Sequence, residues 1–350
     1  MADASIAPDT RAKTFARNVC KRWSIVARAG LAAVVLGAGI AAHASPAAAQ
    51  AYPSRAVTFV VGYAPGGTGD VVARLIAQKL GGVLGQSVVV ENRAGASGAI
   101  AAQSVARAAP DGHTLLVGQT AEIAINQHLM KGLAYDPGKD LQPIALAAVV
   151  PLGLVVPGKA PYATLPELVK AARASKQGLS FASAGIGTPG HFAGELLKAK
   201  SQTIMAHVPY KGAGPALNDL IGGHVDLYFP GLPAAMANVK AGQLKLLAVS
   251  SAKRSAAAPD VPTVAEALDA PGFDLTLWAG IFAPRGTPPE IVARLNAEIN
   301  KILQQADTRD RMMTEGADVA TLSVEQFTAF TNAESAKYAQ IIKETGVKAE

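Results

Sequence analysis

The sequence predicts an α/β protein of two lobes, each a central sheet flanked by helices. Three observations carry that expectation. Short apolar runs alternate with segments of helical periodicity along residues 52–350. Two longer apolar segments, Ile144–Val156 and Leu275–Ala283, interrupt the alternation, with Leu244–Ser250 as a further candidate. A strand, a Gly-rich loop and a helix start recur in both halves of the chain. Strands separated by helices imply a parallel sheet with helices on its faces. The two long segments suit strands that leave one lobe and enter the other. The expected division is residues 52–150 with 255–350 in the first lobe and 151–254 in the second.

The elements follow in order. Val57–Val61 reads as a strand, Asp70–Leu84 as a helix through Val72, Leu75, Ile76 and Leu80, and Ser87–Val90 as a strand. Ile100–Ala109 is a helix and Thr114–Val117 a third strand. Thr164 and Pro166 are good N-cap and first-turn residues for a helix over Leu165–Ser175. Strands at Leu179–Ala182, Ile204–Val208, Val225–Phe229 and Leu244–Val249 alternate with helices at His191–Ala199 and Pro215–Ile221. Two longer helices, Pro289–Gln305 and Val324–Lys343, end the chain.

Residues 1–51 read as an export leader. Arg17, Lys21, Arg22 and Arg28 precede an apolar run, Leu31–Ala42, and small-residue sites follow it. That is the order of a cleavable secretory signal, and the run is short of the ~20 residues a bilayer span needs. Cleavage after Ala44, Ala49 or Ala51 fits equally. The leader holds six Lys/Arg and two acids, so it accounts for +4 of the net charge of +6 and leaves +2 for the rest. A basic nucleic-acid surface is therefore not expected. Cys20, the one cysteine of the chain, lies in the leader ahead of the apolar run, so the exported form is expected to have no disulfide and no cysteine metal site. No later segment has the apolar length of a membrane span. The expected location is the periplasm.

Three loops have the chemistry of an anion site. The first, Ala64-Pro65-Gly66-Gly67-Thr68-Gly69-Asp70, joins a strand to a helix start, where free N–H groups and the helix dipole favour negative charge. It is neither a P-loop nor a G-x-G-x-x-G fingerprint. A tight turn capped by Thr68 or Asp70 accounts for it equally well. The second, around Ser183, Gly185 and Thr188, repeats that architecture and lacks the glycine two residues ahead of the serine that a hydrolase elbow requires. His191, beyond it, reads as a packing residue. The third offers Tyr210, Lys211 and Gly212 between a strand and a helix. Thr120, after the third strand, adds a small polar group at a strand's carboxyl end. Glu122 beside it would repel an anion, unless it faces solvent or reads an amino group on the ligand. His113, His128, His191, His207 and His224 lack metal-ligand spacing. No catalytic residue, metal or cofactor is expected.

In order along the chain, Tyr52-Pro53-Ser54-Arg55, the Ala64–Asp70 loop, Val90-Glu91-Asn92-Arg93-Ala94-Gly95-Ala96 and Ala109-Pro110-Asp111-Gly112-His113 carry a resemblance. Tyr135-Asp136-Pro137, Ala182-Ser183-Ala184-Gly185, His207-Val208-Pro209-Tyr210-Lys211-Gly212, Asp260-Val261-Pro262-Thr263 and Phe282-Ala283-Pro284 continue it. Together they resemble the Bug (TctC-type) solute receptors of tripartite tricarboxylate transporters. The resemblance implies a Venus-flytrap fold closing on a small organic carboxylate held by main-chain N–H groups, hydroxyls and waters, with no catalysis. Carried over by position, the contacts fall on Ala64 to Asp70, Thr120, Ser183, Gly185, Thr188, and Tyr210 to Gly212. Where the family often has Ser-Gly or Ser-Thr after the third strand, this chain has Ala121-Glu122. The implied partners are the ligand and the transporter's membrane components, with no nucleic acid, and the implied state is a monomer. Two alternatives keep other outputs: a ligand-loaded sensor docking on a membrane histidine kinase, and a secreted α/β hydrolase.

Overall fold

The computed structural model describes residues 52–314 and 316–348. The expected leader, with Cys20, lies outside them. The strands are β1 (Val57–Val61), β2 (Val88–Asn92), β3 (Thr114–Gln119), β4 (Leu141–Pro151), β5 (Gly153–Pro157), β6 (Leu179–Ser183), β7 (Met205–Pro209), β8 (Leu227–Tyr228), β9 (Leu244–Val249) and β10 (Thr276–Pro284). They form two five-stranded sheets, in the orders β2-β1-β3-β10-β4 and β7-β6-β8-β5-β9. Helices flank both sheets, so the chain is a two-lobed α/β protein. No helix among the described residues is long and apolar enough to cross a membrane.

The first sheet shows how the sequence builds its layers. Val57, Phe59 and Val61 of β1 are fully buried, against Val72, Ile76 and Leu80 of the Thr68–Leu84 helix. Those helix positions recur at three- to four-residue spacing and form one apolar stripe. Each such side chain contributes about 1.5–3 kcal/mol by leaving water. The helix stops at Gly85, whose φ of 70° is the left-handed conformation of a C-cap.

Both sheets are mixed rather than parallel. β1 pairs in parallel with β2 and β3, and β6 with β7 and β8. β10 is antiparallel to β3 and β4, and β5 to β8 and β9. A helical crossover within one sheet brings the next strand in parallel. β5 and β10 instead arrive from connections that cross between the lobes. The Ile144–Val156 segment does cross, dividing into β4 and β5 at Leu152. Leu275–Ala283 does not: it forms β10 within the first sheet, and the return crossing lies just before it.

Ser250 ties the crossing segments together. Its N–H donates to the Leu152 carbonyl at 2.8 Å, and Leu152 N–H donates to its hydroxyl oxygen at 3.0 Å. The hydroxyl donates onward to the Leu275 carbonyl, and Leu275 N–H returns to the Ser250 carbonyl at 3.1 Å. One fully buried serine thus ties its own segment to Leu152 and Leu275.

Candidate functional site

The lobes meet around an enclosed cavity of about 30 Å³. The loops after β1 and β3 supply Tyr63, Gly67, Thr68, Gln119 and Ala121 from one side. The loops after β6, β7 and β8 supply Ala184, Thr188, Pro189, Gly190, Ala213, Phe229 and Gly231 from the other, with Tyr228 at the end of β8. These are carboxyl ends of strands, where open α/β sheets take ligands.

Four helices begin at this cavity: Thr68–Leu84, Pro189–Ser201, Ala213–Gly222 and Leu232–Lys240. None has a side-chain cap on its first turn. By contrast Thr164, Thr263 and Ser323 make full capping boxes on helices that start elsewhere. The Pro289–Gln304 helix is also uncapped, away from the cavity. Each helix start carries roughly +0.5 of a charge in its free N–H groups, so four of them make a positive cavity with no cation in its wall.

Three side chains complete the wall. Thr68, Gln119 and Tyr228 are at least nine-tenths buried and line the cavity. None uses its side-chain polar group in a hydrogen bond to another described residue. Burial pushes the Tyr228 phenol well above its ordinary value, so it stays a donor across the accessible pH range. Their polar groups are therefore open to a partner in the cavity. A ligand with acceptor oxygens supplies what they lack.

The residues expected from sequence take several positions. Gly67, Thr68 and Thr188 line the enclosed cavity. Gly185, Tyr210 and Lys211 line a neighbouring, more open cavity of about 280 Å³ together with Ser97 and Ile186. Ala64, Pro65 and Gly212 form the seam between the lobes, where Ala64 N–H donates to the Lys211 carbonyl at 3.1 Å. Ser97 makes a second bond across the seam, its hydroxyl donating to the Ile186 carbonyl at 2.6 Å. Gly66 N–H donates to Asp70 Oδ2 at 3.1 Å. Gly69 lies against the Gln119 amide, 2.6 Å from where a Cβ would stand.

Asp70, Thr120 and Ser183 are occupied within the protein. Asp70 accepts two bonds from Arg74, at 2.9 and 3.0 Å, and one from Asn92 at 3.0 Å. Burial works to raise its carboxyl, but these bonds and the one from Gly66 outweigh it and hold the group below its ordinary range. Thr120 Oγ1 accepts from Trp278 N–H at 2.9 Å. The Ser183 hydroxyl donates to the Gly185 carbonyl at 3.0 Å and lies 2.7 Å from His207 Nε2. The His191 ring stacks on His207 with centroids 3.9 Å apart, and its Nδ1 accepts from Gly187 N–H at 3.1 Å.

Glu122 neither faces solvent nor reaches the cavity. It is fully buried just behind the wall, where Tyr63 Oη donates to Oε2 at 2.9 Å and Gln119 N–H to Oε1 at 2.8 Å. Burial pushes its carboxyl up to about 8, against the lowering pull of those donors. Burial thus favours the neutral acid, which weakens the expected repulsion. Wall residues outside the expected site include Tyr228, which lay within the expected Val225–Phe229 strand, and Gly231, which had no sequence reading. The signal that could have found them is the strand–glycine–helix pattern of Tyr228 to Leu232, a repeat of the first two loops.

The family model described as "Tripartite tricarboxylate transporter family receptor" matches residues 72–347. Protein BugT of Bordetella pertussis is 36% identical over 319 residues, covering 91% of this chain and 98% of its own. Among solved structures, R. palustris Rpa4515 with adipate superposes with a TM-score of 0.82 at 36% identity, covering 85% of this chain and 99% of that one. MatC (Rpa3494) from Rhodopseudomonas palustris, with bound malate, gives 0.77 at 37% identity over 83% and 100%. With its two-lobed fold and its cavity at the strand ends, the chain belongs to the TctC family of tripartite tricarboxylate transporter receptors, the Bug-type solute-binding proteins.

Proposed function

We propose that this chain is a periplasmic receptor that captures a small organic carboxylate between its lobes and delivers it to the membrane components of a tripartite transporter. The observation that carries the reading is the cavity wall: four uncapped helix starts and the unpartnered Tyr228, Gln119 and Thr68, with no charged side chain among them. Such a wall stabilises an anion through main-chain and neutral donors. Adipate in Rpa4515 and malate in MatC support a dicarboxylate as the ligand class. The ligand contacts assigned are Gly67, Thr68, Gln119, Thr188, Gly190 and Tyr228. The reading gives the protein binding and delivery, without a covalent step or a cofactor, after removal of the leader.

A thermal-shift screen of residues 52–350 tests it. Adipate, malate, longer and aromatic acids, tricarboxylates and acidic amino acids are compared. A ligand at 100 times its Kd stabilises by about 2.7 kcal/mol, so at least one acid class should raise Tm by several degrees. No response from any of them overturns the reading.

A further inference from the structure

We propose that Glu122 is a proton-linked positioning residue: neutral, it leaves the Tyr63 hydroxyl free to donate into the cavity, and ionised, it takes that hydroxyl's hydrogen and repels the ligand. This rests on the receptor reading above. The geometry supports it directly. Glu122 is fully buried and touches two residues of the cavity wall, Tyr63 and Gln119, without being part of the wall itself. A carboxylate accepts from Tyr63 Oη–H. A carboxylic acid carries one proton of its own, donates it to Tyr63 Oη, and turns the phenol hydrogen outward. Gln119 N–H serves Oε1 in either state. Where Glu122 is ionised in the free protein, the proton gained on capture comes from solvent and is returned on release.

No cation competes for this role. The loop after β1 presents Tyr63, and the loop ahead of β4 presents Tyr135, whose hydroxyl donates to the Glu122 carbonyl at 2.6 Å. Tyr228 faces Tyr63 from the second lobe. The Ala96–Gly98 turn packed beside Glu122 has no ionisable group. On the Val324–Thr345 helix, Glu334 and Lys337 pair with each other at 3.0 Å. On the Pro137–Asp140 helix and its cap, Lys139 pairs with Asp136 at 2.7 Å, and Asp140 accepts from Asp136 N–H. His128, on the Asn126–Leu129 helix that follows Glu122's turn, engages Ser335. No Lys or Arg forms an ion pair with Glu122 among the described residues. Among the described residues packed around it, the Glu122 carboxyl is therefore the first group behind the wall to acquire like charge as pH rises. By linkage its arrival holds the proton on Glu122 and the proton holds the ligand.

The test has two arms, on wild type and Glu122→Gln. Difference infrared spectroscopy without ligand follows the protonated-carboxyl band against pH. It should contain one component titrating near pH 8 that Glu122→Gln lacks. Titration calorimetry with adipate and malate from pH 6 to 10 follows Kd, both acids staying fully ionised over the upper range. Wild-type Kd should rise by up to about tenfold per pH unit above that point, with proton uptake on binding, while Glu122→Gln is flat. An infrared band missing from wild type overturns the proposal whatever the binding data. A titrating band with the same Kd profile in both proteins also overturns it, and leaves the receptor reading standing. Binding of neither acid at pH 6 counts against the ligand class assigned above and removes the coupling with it.

Discussion

Replacing Tyr228 by phenylalanine deletes one oxygen from the cavity wall and nothing else. The hydroxyl has no hydrogen-bond partner among the described residues, and the ring is 2% exposed beside Phe229. Folding thus loses no bond, and unfolding stability without ligand should change by less than about 1 kcal/mol. Binding is different. A hydrogen bond to a charged group is worth about 1.5–3 kcal/mol, so Kd for the best acid should rise roughly 10- to 150-fold. Calorimetry at pH 6.5 reads Kd, and urea unfolding of the same preparations reads the stability. A Kd within twofold of wild type, or a clear fall in the urea midpoint with unchanged Kd, would refute the assignment of this hydroxyl to the ligand.

Other perturbations separate hinge, seam and loop. Ser250→Ala leaves Leu152 N–H and the Leu275 carbonyl without their buried partner, and should cost about 1–3 kcal/mol in denaturant unfolding. A Cβ at Gly231 would stand 2.3 Å from Thr68 Oγ1 across the lobes. Gly231→Ala should therefore hold the lobes apart, weakening acid binding about tenfold or more at an overpacking cost of ~1–3 kcal/mol. Small-angle scattering should find its ligand-saturated form no more compact than its free form. Asp70→Asn tests the loop's electrostatics through pH. The folded carboxyl lies below its ordinary 3.8, so its contribution is complete above the unfolded value and disappears as pH falls through the folded one. The stability gap between wild type and Asp70→Asn should be steady from pH 5 to 7 and narrow as pH falls below 3.8.

The fold was largely legible because its signals are local. Val57–Val61 is β-branched and apolar, the loop after it is glycine-rich, and Val72, Ile76 and Leu80 set a helical stripe. Thr164, Thr263 and Ser323 cap their helices through residues three positions on. The Leu232–Lys240 helix had no sequence expectation, because Pro230, Gly231 and Pro233 break the helical signal at its start. The site was legible in part. Glycine loops before helices mark where N–H groups stay free, which led to Gly67, Thr68 and Thr188. Sequence cannot tell which faces of two sheets meet, so it could not separate the enclosed cavity from the open one beside it, where Tyr210 and Lys211 lie. Nor could it find Tyr228, whose distinction is a missing partner. Asp70 shows the reverse error in kind: a polar residue in the right loop whose bonds run to Arg74 and Asn92. Glu122's neutrality depends on total burial, which its polar type argues against until its neighbours are seen.

The measurement that bears most directly on the central claim is a crystal structure of residues 52–350 grown with the best-binding acid. The account predicts a carboxylate in the enclosed cavity, one oxygen about 2.5–3.0 Å from Tyr228 Oη and the other facing the N–H groups at the Thr68 or Gly190 helix start. A ligand seated instead in the open cavity at Tyr210 and Lys211, with Tyr228 unpartnered, would contradict it.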